Sequence, residues 1–190
     1  MHLTVTPGDQ LLAQFANQIG ALSERDGHRA LARAVNRTTT SVHSRVVRAI
    51  AKQSSIPTRI VRAQVRRIQV KPGSGDSLEG HVIASGRPIP LRDFRARQFS
   101  WGVRAKVWGE TRRFEGMFIY AGTFRSGQEV GNGHVFQRVT SRSLPIAKQE
   151  GPAVPTEMVR NQSRDEFERT VAEMLPQRVR HELSRLLPAD

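Results

Sequence analysis

Apolar positions recur at helical spacing near both ends of the chain and alternate in between. The segment from Gly8 to Leu22 carries Leu11, Leu12, Phe15 and Ile19 on one face, with Asp9 placed to cap it. A longer stripe, Leu31, Ala34, Val35, Val42, Val46, Ala49 and Ile50, predicts a helix over 27–53. Thr38, Thr39 and Thr40 have low helix propensity and predict a kink inside it. Pro57 ends or restarts helical structure, and Ile60, Val61 and Val65 predict a short further helix. The period then changes to two. Arg67 to Lys71 alternates, and Pro72-Gly73-Ser74-Gly75 predicts a turn. Further strands are predicted at 80–84, 89–91, 102–108, 117–121, 134–139 and 144–147, with a loop over 122–133. In the cleanest of these, Val103, Ala105 and Val107 face one way while Arg104 and Lys106 face the other. Beyond Gly151-Pro152 the helical period returns. Phe167, Val171, Met174 and Leu175 form one stripe; Val179, Leu183, Leu186 and Leu187 form another. Pro176 lies between them and predicts a kink or two short helices. Helices, then mostly antiparallel strands, then helix is the order of an α+β fold. The 190 residues suit a single domain, mainly helical over 1–66, mainly strands over 67–150, and helical over 152–188.

Charge changes this picture most. Thirty lysines and arginines against 17 acids leave a net +13, and only Lys52, Lys71, Lys106 and Lys148 are lysines. A GC-rich genome also favours arginine over lysine, but it does not set the sign of the total. Between Gly27 and Gly75 there is no acidic residue at all. That window holds Arg29, Arg33, Arg37, Arg45, Arg48, Arg62, Arg66 and Arg67. Arg29, Arg33 and Arg37 are four apart and share one side of the predicted helix. With Arg104 and Lys106 these residues form the candidate interface to DNA or to an acidic partner. The competing reading is the solvated face of an amphipathic helix. The segment from Arg160 is mixed in sign and reads as an ordinary solvated helix.

Candidate chemistry is sparse. Cysteine is absent, so there is no disulfide framework, no thiolate metal site and no cysteine nucleophile; this fits an intracellular folding compartment. The histidines at 2, 28, 43, 81, 134 and 181 are never three to five apart, which excludes zinc sites of the usual helical spacing. No phosphate-binding loop and no Gly-x-Ser-x-Gly elbow occurs. Asp76 with Glu79, and Asp93 with Glu110, are the nearest approach to paired carboxylates, and both read as scattered surface acids. Phe94, Phe99, Trp101 and Trp108 cluster in sequence, and packing accounts for them better than base stacking does. No helix-turn-helix signature appears. No run approaches the roughly 18–20 apolar residues of a membrane span, and the first residues lack the basic-then-apolar pattern of a secretory signal. The expectation is a non-enzyme that needs no cofactor, metal or membrane.

A set of segments, in order, resembles one known family. Ala30-Leu31-Ala32-Arg33-Ala34-Val35-Asn36-Arg37 on the early helix is followed by Gly116-Met117-Phe118-Ile119. Then come Gly133-His134-Val135-Phe136-Gln137-Arg138-Val139, Leu144-Pro145-Ile146 and Gly151-Pro152-Ala153-Val154-Pro155. Together they are similar to the prophage minor tail protein Z family, the tail completion proteins of lambda-like long-tailed bacteriophages, over about residues 28–185. The family brings no catalytic motif. The resemblance implies an α+β fold of tail-completion type, with the long N-terminal helix packed on the sheet and a helical C-terminal segment. It also implies a structural role at the head-proximal end of the tail, assisting head–tail joining and positioning of the DNA end. Its partners would be other tail and neck proteins (tail terminator, tail tube, head–tail connector), with double-stranded DNA in the tail lumen as a further contact. Tail symmetry would imply a hexameric ring in the virion, after assembly in the host cytoplasm. A free-standing basic nucleic-acid-binding protein is the alternative that the charge pattern itself supports.

Overall fold

A computed structural model describes residues 1–20, 22–71, 77–120, 122–123, 125–127 and 130–186. The predicted turn at 72–75, Asp76 and Leu187 lie outside the described residues.

The chain opens with a short strand, β1 (His2–Val5), that the residue pattern did not announce. The predicted first helix is two pieces, α1 (Asp9–Gln14) and α2 (Ala16–Gly20), joined at Phe15. Asp9 lies in the first turn of α1, and Gly8 rather than Asp9 holds the cap position. The long helix α3 runs from Glu24–Ser54 without interruption. Ser23 caps it: its Oγ accepts the Asp26 N–H at 3.2 Å, satisfying a donor that the helix start leaves open. The helix is not broken at the threonines. Thr38 and Thr39 are fully buried and donate their hydroxyls to Ala34 and Val35 carbonyls at 2.9 and 2.8 Å. They therefore extend the apolar stripe between Val35 and Val42, with no polar atom left unpaired.

After α4 (Thr58–Gln64) the chain passes directly into β2 (Val65–Ile68), earlier than the alternation at 67–71 suggests. β3 (Gly80–Ala84) has the predicted bounds and is the central strand of the antiparallel sheet β1–β3–β2. Gly80, Val82 and Ala84 face inward. A Cβ built on Gly80 would stand 2.1 Å from Thr39 Oγ1, so the strand meets α3 where only a glycine fits.

The second antiparallel sheet is β4 (Arg97–Phe99), β5 (Gly102–Val107) and β6 (Glu110–Glu115), in that order. Val103, Ala105 and Val107 are buried in the common core, as their alternation implies. The third is β7 (Met117–Phe118), β8 (Phe136–Arg138) and β9 (Ile146–Lys148), each shorter than the segment predicted for it. The single sheet of the sequence reading is thus three small ones. The strand expected at 89–91 is reduced to one bridge, Pro90 to Glu150, followed by a 3₁₀ turn at Leu91–Phe94. Pro88 and Pro90 withdraw the N–H donors that a ladder needs.

The chain ends in α5 (Val154–Met158) and α6 (Asn161–Ser184). Pro176 lies inside α6, which continues through it as one helix rather than two. The carbonyl deprived of its donor belongs to Ala172, at an exposed position. α6 packs antiparallel along α3. Residue 33 meets 182, residue 45 meets 170 and 173, and residue 53 meets 163. It is more than a solvated helix, since Thr170, Leu175, Val179, Glu182 and Leu183 are all buried. The result is the expected α+β fold, a long helix with small antiparallel sheets and a C-terminal helix packed on it.

Candidate functional site

The basic residues fall into three groups with different surroundings. Along α3, arginines are turned toward α6. Arg33 Nε–H donates to Glu182 Oε2 at 2.7 Å, and Arg37 Nη1 lies 3.1 Å from Glu182 Oε1. Glu182 has no exposure, while both guanidiniums reach solvent. A buried carboxylate requires such partners. Arg45 sits among Glu173 at 3.4 Å, Glu166 at 3.9 Å and Thr170 Oγ1 at 3.4 Å. Arg29 pairs loosely with Asp26 at 3.8 Å. Arg33 and Arg37 thus hold α6 against α3, a third possibility beside interface and solvated face.

Arg62, Arg66 and Arg67 are exposed, on α4 and on the edge strand β2. They stand apart from Arg104 and Lys106, which project from the outward face of β5.

There the register builds a site that the residue pattern did not show. Arg104 stands directly opposite Arg97 of β4 and Arg113 of β6, so three arginines form one rung across the sheet. All three are exposed. Like charges directly opposite destabilise a sheet. Among the described residues, no carboxylate lies within ion-pair distance of Arg95, Arg97, Arg104, Lys106 or Arg113. Aromatic rings hold the guanidiniums instead. Phe99 and Trp101 stack with centroids 5.2 Å apart and planes 7° from parallel. Arg104 lies over Phe99 at 4.7 Å and Arg113 over Trp101 at 5.2 Å.

Arg95, Arg97, Arg104 and Lys106 line a groove of about 350 Å³ floored by Ala105. Arg95 and Lys106 also border a larger cleft of about 620 Å³, which Arg48 and Lys52 at the end of α3 line from the other side. The two share Arg95 and Lys106 and form one largely cationic track, with Asp93 among its lining. Sequence reasoning found Arg48, Arg104 and Lys106. It missed Arg97 and Arg113, because β4 is three residues long and β6, Glu-Thr-Arg-Arg-Phe-Glu, shows no apolar alternation.

The hairpin between β5 and β6 ties this sheet to α3. Its two turn residues, Trp108 and Gly109, have φ of 52° and 79°, as the tightest hairpin connection requires. Tryptophan rarely tolerates that conformation, and three bonds hold it here. Trp108 N–H donates to Ser54 O at 3.1 Å, Gly109 N–H to Ser55 Oγ at 2.9 Å, and the indole N–H to Glu157 Oε1 at 3.2 Å. Gln53 completes the knot, donating to Glu157 Oε2 at 2.9 Å and accepting the Ser163 N–H at 3.0 Å.

Among the described residues, no three histidine, aspartate or glutamate side chains come together in a way that would hold a metal ion. Asp93 lies beside Arg92 at 3.9 Å and Glu110 beside Arg112 at 3.5 Å, so each has a basic neighbour. Glu79 lies 3.7 Å from His81. No helix among the described residues is long and apolar enough to cross a membrane.

Comparison with known proteins gives one match. The family model described as "Prophage minor tail protein Z (GPZ)" aligns with residues 12–188. No curated protein and no solved structure matches the chain.

Proposed function

The chain belongs to the prophage minor tail protein Z family and is a phage minor tail protein, and from that premise we propose that it completes the head-proximal end of the tail. In this reading it is a structural part that assists head–tail joining and positioning of the DNA end. It is built into the neck as a hexameric ring among tail and connector proteins, and it does not turn over substrate. The observation that carries the reading is the family match over nearly the whole chain. Two features of the molecule support it. Polar contacts tie α3 to α6, to α5 and to the β5–β6 turn, as suits a rigid part. A basic subunit repeated around a ring also multiplies +13 into a strong positive field where DNA leaves the head.

Electron microscopy of particles assembled without the protein tests the proposal. Headless tails, unjoined heads or noninfectious particles are the expected result; normal infectious particles would overturn it. The free-standing nucleic-acid-binding alternative shares the basic track but gives no account of the family match.

A further inference from the structure

We propose that the outward face of the β4–β5–β6 sheet binds the sugar–phosphate backbone of double-stranded DNA; this rests on the tail reading for the setting in which DNA is met, while the site itself stands on geometry. Arg97, Arg104 and Arg113 are aligned by register and exposed, and are opposed by like charge rather than by acids. Such a rung costs stability in the free protein and loses that cost when an anion arrives. Stacking on Phe99 and Trp101 presets Arg104 and Arg113, so little side-chain freedom is lost on binding.

The occupant follows from what the track contains. Arg48, Lys52, Arg95, Lys106, Arg104 and Arg97 line it, against one carboxylate, Asp93, which has Arg92 beside it at 3.9 Å. The complement of a line is a polyanion of regular charge, and duplex DNA presents one charge per roughly 1.7 Å. An acidic protein partner would be expected to find an apolar anchor. The large apolar side chains lining the track offer none: Ile56 and Phe94 are at most 2% exposed, and the partly exposed Ala51 and Pro57 are small. A single strand would need free ring faces for its bases. Here Phe99 and Trp101 stack on each other under guanidiniums, and Arg112 lies over Trp108 at 4.9 Å. Backbone contact without base reading is what this chemistry delivers.

The test uses the full chain and a fluorescein-labelled duplex of about 30 base pairs, titrated from about 50 to 200 mM salt. The variant Arg97→Gln/Arg104→Gln/Arg113→Gln is compared with Arg142→Gln/Arg180→Gln/Arg185→Gln, which removes equal charge from exposed positions elsewhere. The rung variant is expected to bind at least about tenfold more weakly, with a log–log salt slope shallower by about 2 to 3. The control keeps the slope. Arg97→Lys/Arg104→Lys/Arg113→Lys, which preserves charge, is expected to keep most of it too. Equal binding by rung and control variants, both folded by thermal melt, would overturn the site. So would tighter binding of a single-stranded oligonucleotide, or binding of polyglutamate in place of the duplex. A protein required for joining that ignores duplex DNA retires this site and spares the tail reading. One that binds duplex through the rung while particles lacking it are normal does the reverse.

Discussion

Glu182 accepts the Nε–H of Arg33 at 2.7 Å across 149 positions of sequence, and this contact joins the two long helices. The carboxylate is fully buried, and Arg33 and Arg37 are the cations beside it. Arg33→Met/Arg37→Met is expected to lose about 3 kcal/mol, with solvent screening of the guanidiniums keeping it from the top of the usual range. Arg33→Met/Arg37→Met/Glu182→Met should recover most of that loss, because no uncompensated charge remains. Urea unfolding of the two variants checks this. A triple variant no more stable than the double would show that the carboxylate is not the element at stake.

The contact between β3 and α3 gives a second expectation. Gly80→Ala places a methyl 2.1 Å from Thr39 Oγ1 and 3.2 Å from Val35 Cγ1. Overpacking of this kind costs roughly 1–3 kcal/mol. Thr39→Ala in the same chain removes the hydroxyl that collides, so the double variant should be more stable than the sum of the two single effects. A double-mutant cycle by thermal or urea unfolding measures that coupling.

His134 sets a pH dependence. Burial holds its pKa below the ordinary 6.5, the positive charges of Arg92 and Lys148 lower it further, and Asp93 offsets part of this. The unfolded chain therefore takes up a proton that the folded chain refuses. The contribution is neutral above about pH 6.5 and turns destabilising as pH falls below that value. His134→Asn should flatten the decline in unfolding free energy between about pH 7 and pH 5. Denaturant midpoints across that range provide the check.

The arginine rung predicts an unusual response to salt. Surface ion pairs weaken with ionic strength, whereas opposed like charges are relieved by it. The melting temperature is expected to rise between low and moderate sodium chloride. The rise should be smaller in Arg104→Gln, because Arg104 faces both Arg97 and Arg113. Calorimetry on the two proteins distinguishes this from a general salt effect.

Residues whose environment is local were legible in the sequence. Gly80–Ala84 reads as a strand from its own alternation, and Val103, Ala105 and Val107 reach the core as their spacing implies. The stripe on α3 is also visible, although Thr38 and Thr39 looked like a flaw when they are part of it. What could not be read depends on distant partners. Nothing near Arg33 announces Glu182. Nothing in Glu110–Glu115 announces a strand, since its outward residues are polar and its inward contact comes mainly through Phe114. The rung is a property of register, so neither Arg97 nor Arg113 carries any local mark of it. Pro176 argued for a kink or a break because local chemistry forbids its hydrogen bond, while packing along α3 favours one continuous helix.

The knot at the end of α3 has a mechanical meaning. Ser54 and Ser55 take the N–H groups of Trp108 and Gly109, so the hairpin grows out of the helix end with no slack between them. Thirty-one helical residues make a rod of roughly 46 Å. Tension on the β4–β5–β6 sheet enters that rod at its C-terminal end, where Gln53 also holds the start of α6, and Arg33 and Arg37 hold Glu182 further back along it. A pull on the charged sheet would thus reach the longest helix first, rather than a loop that could give way.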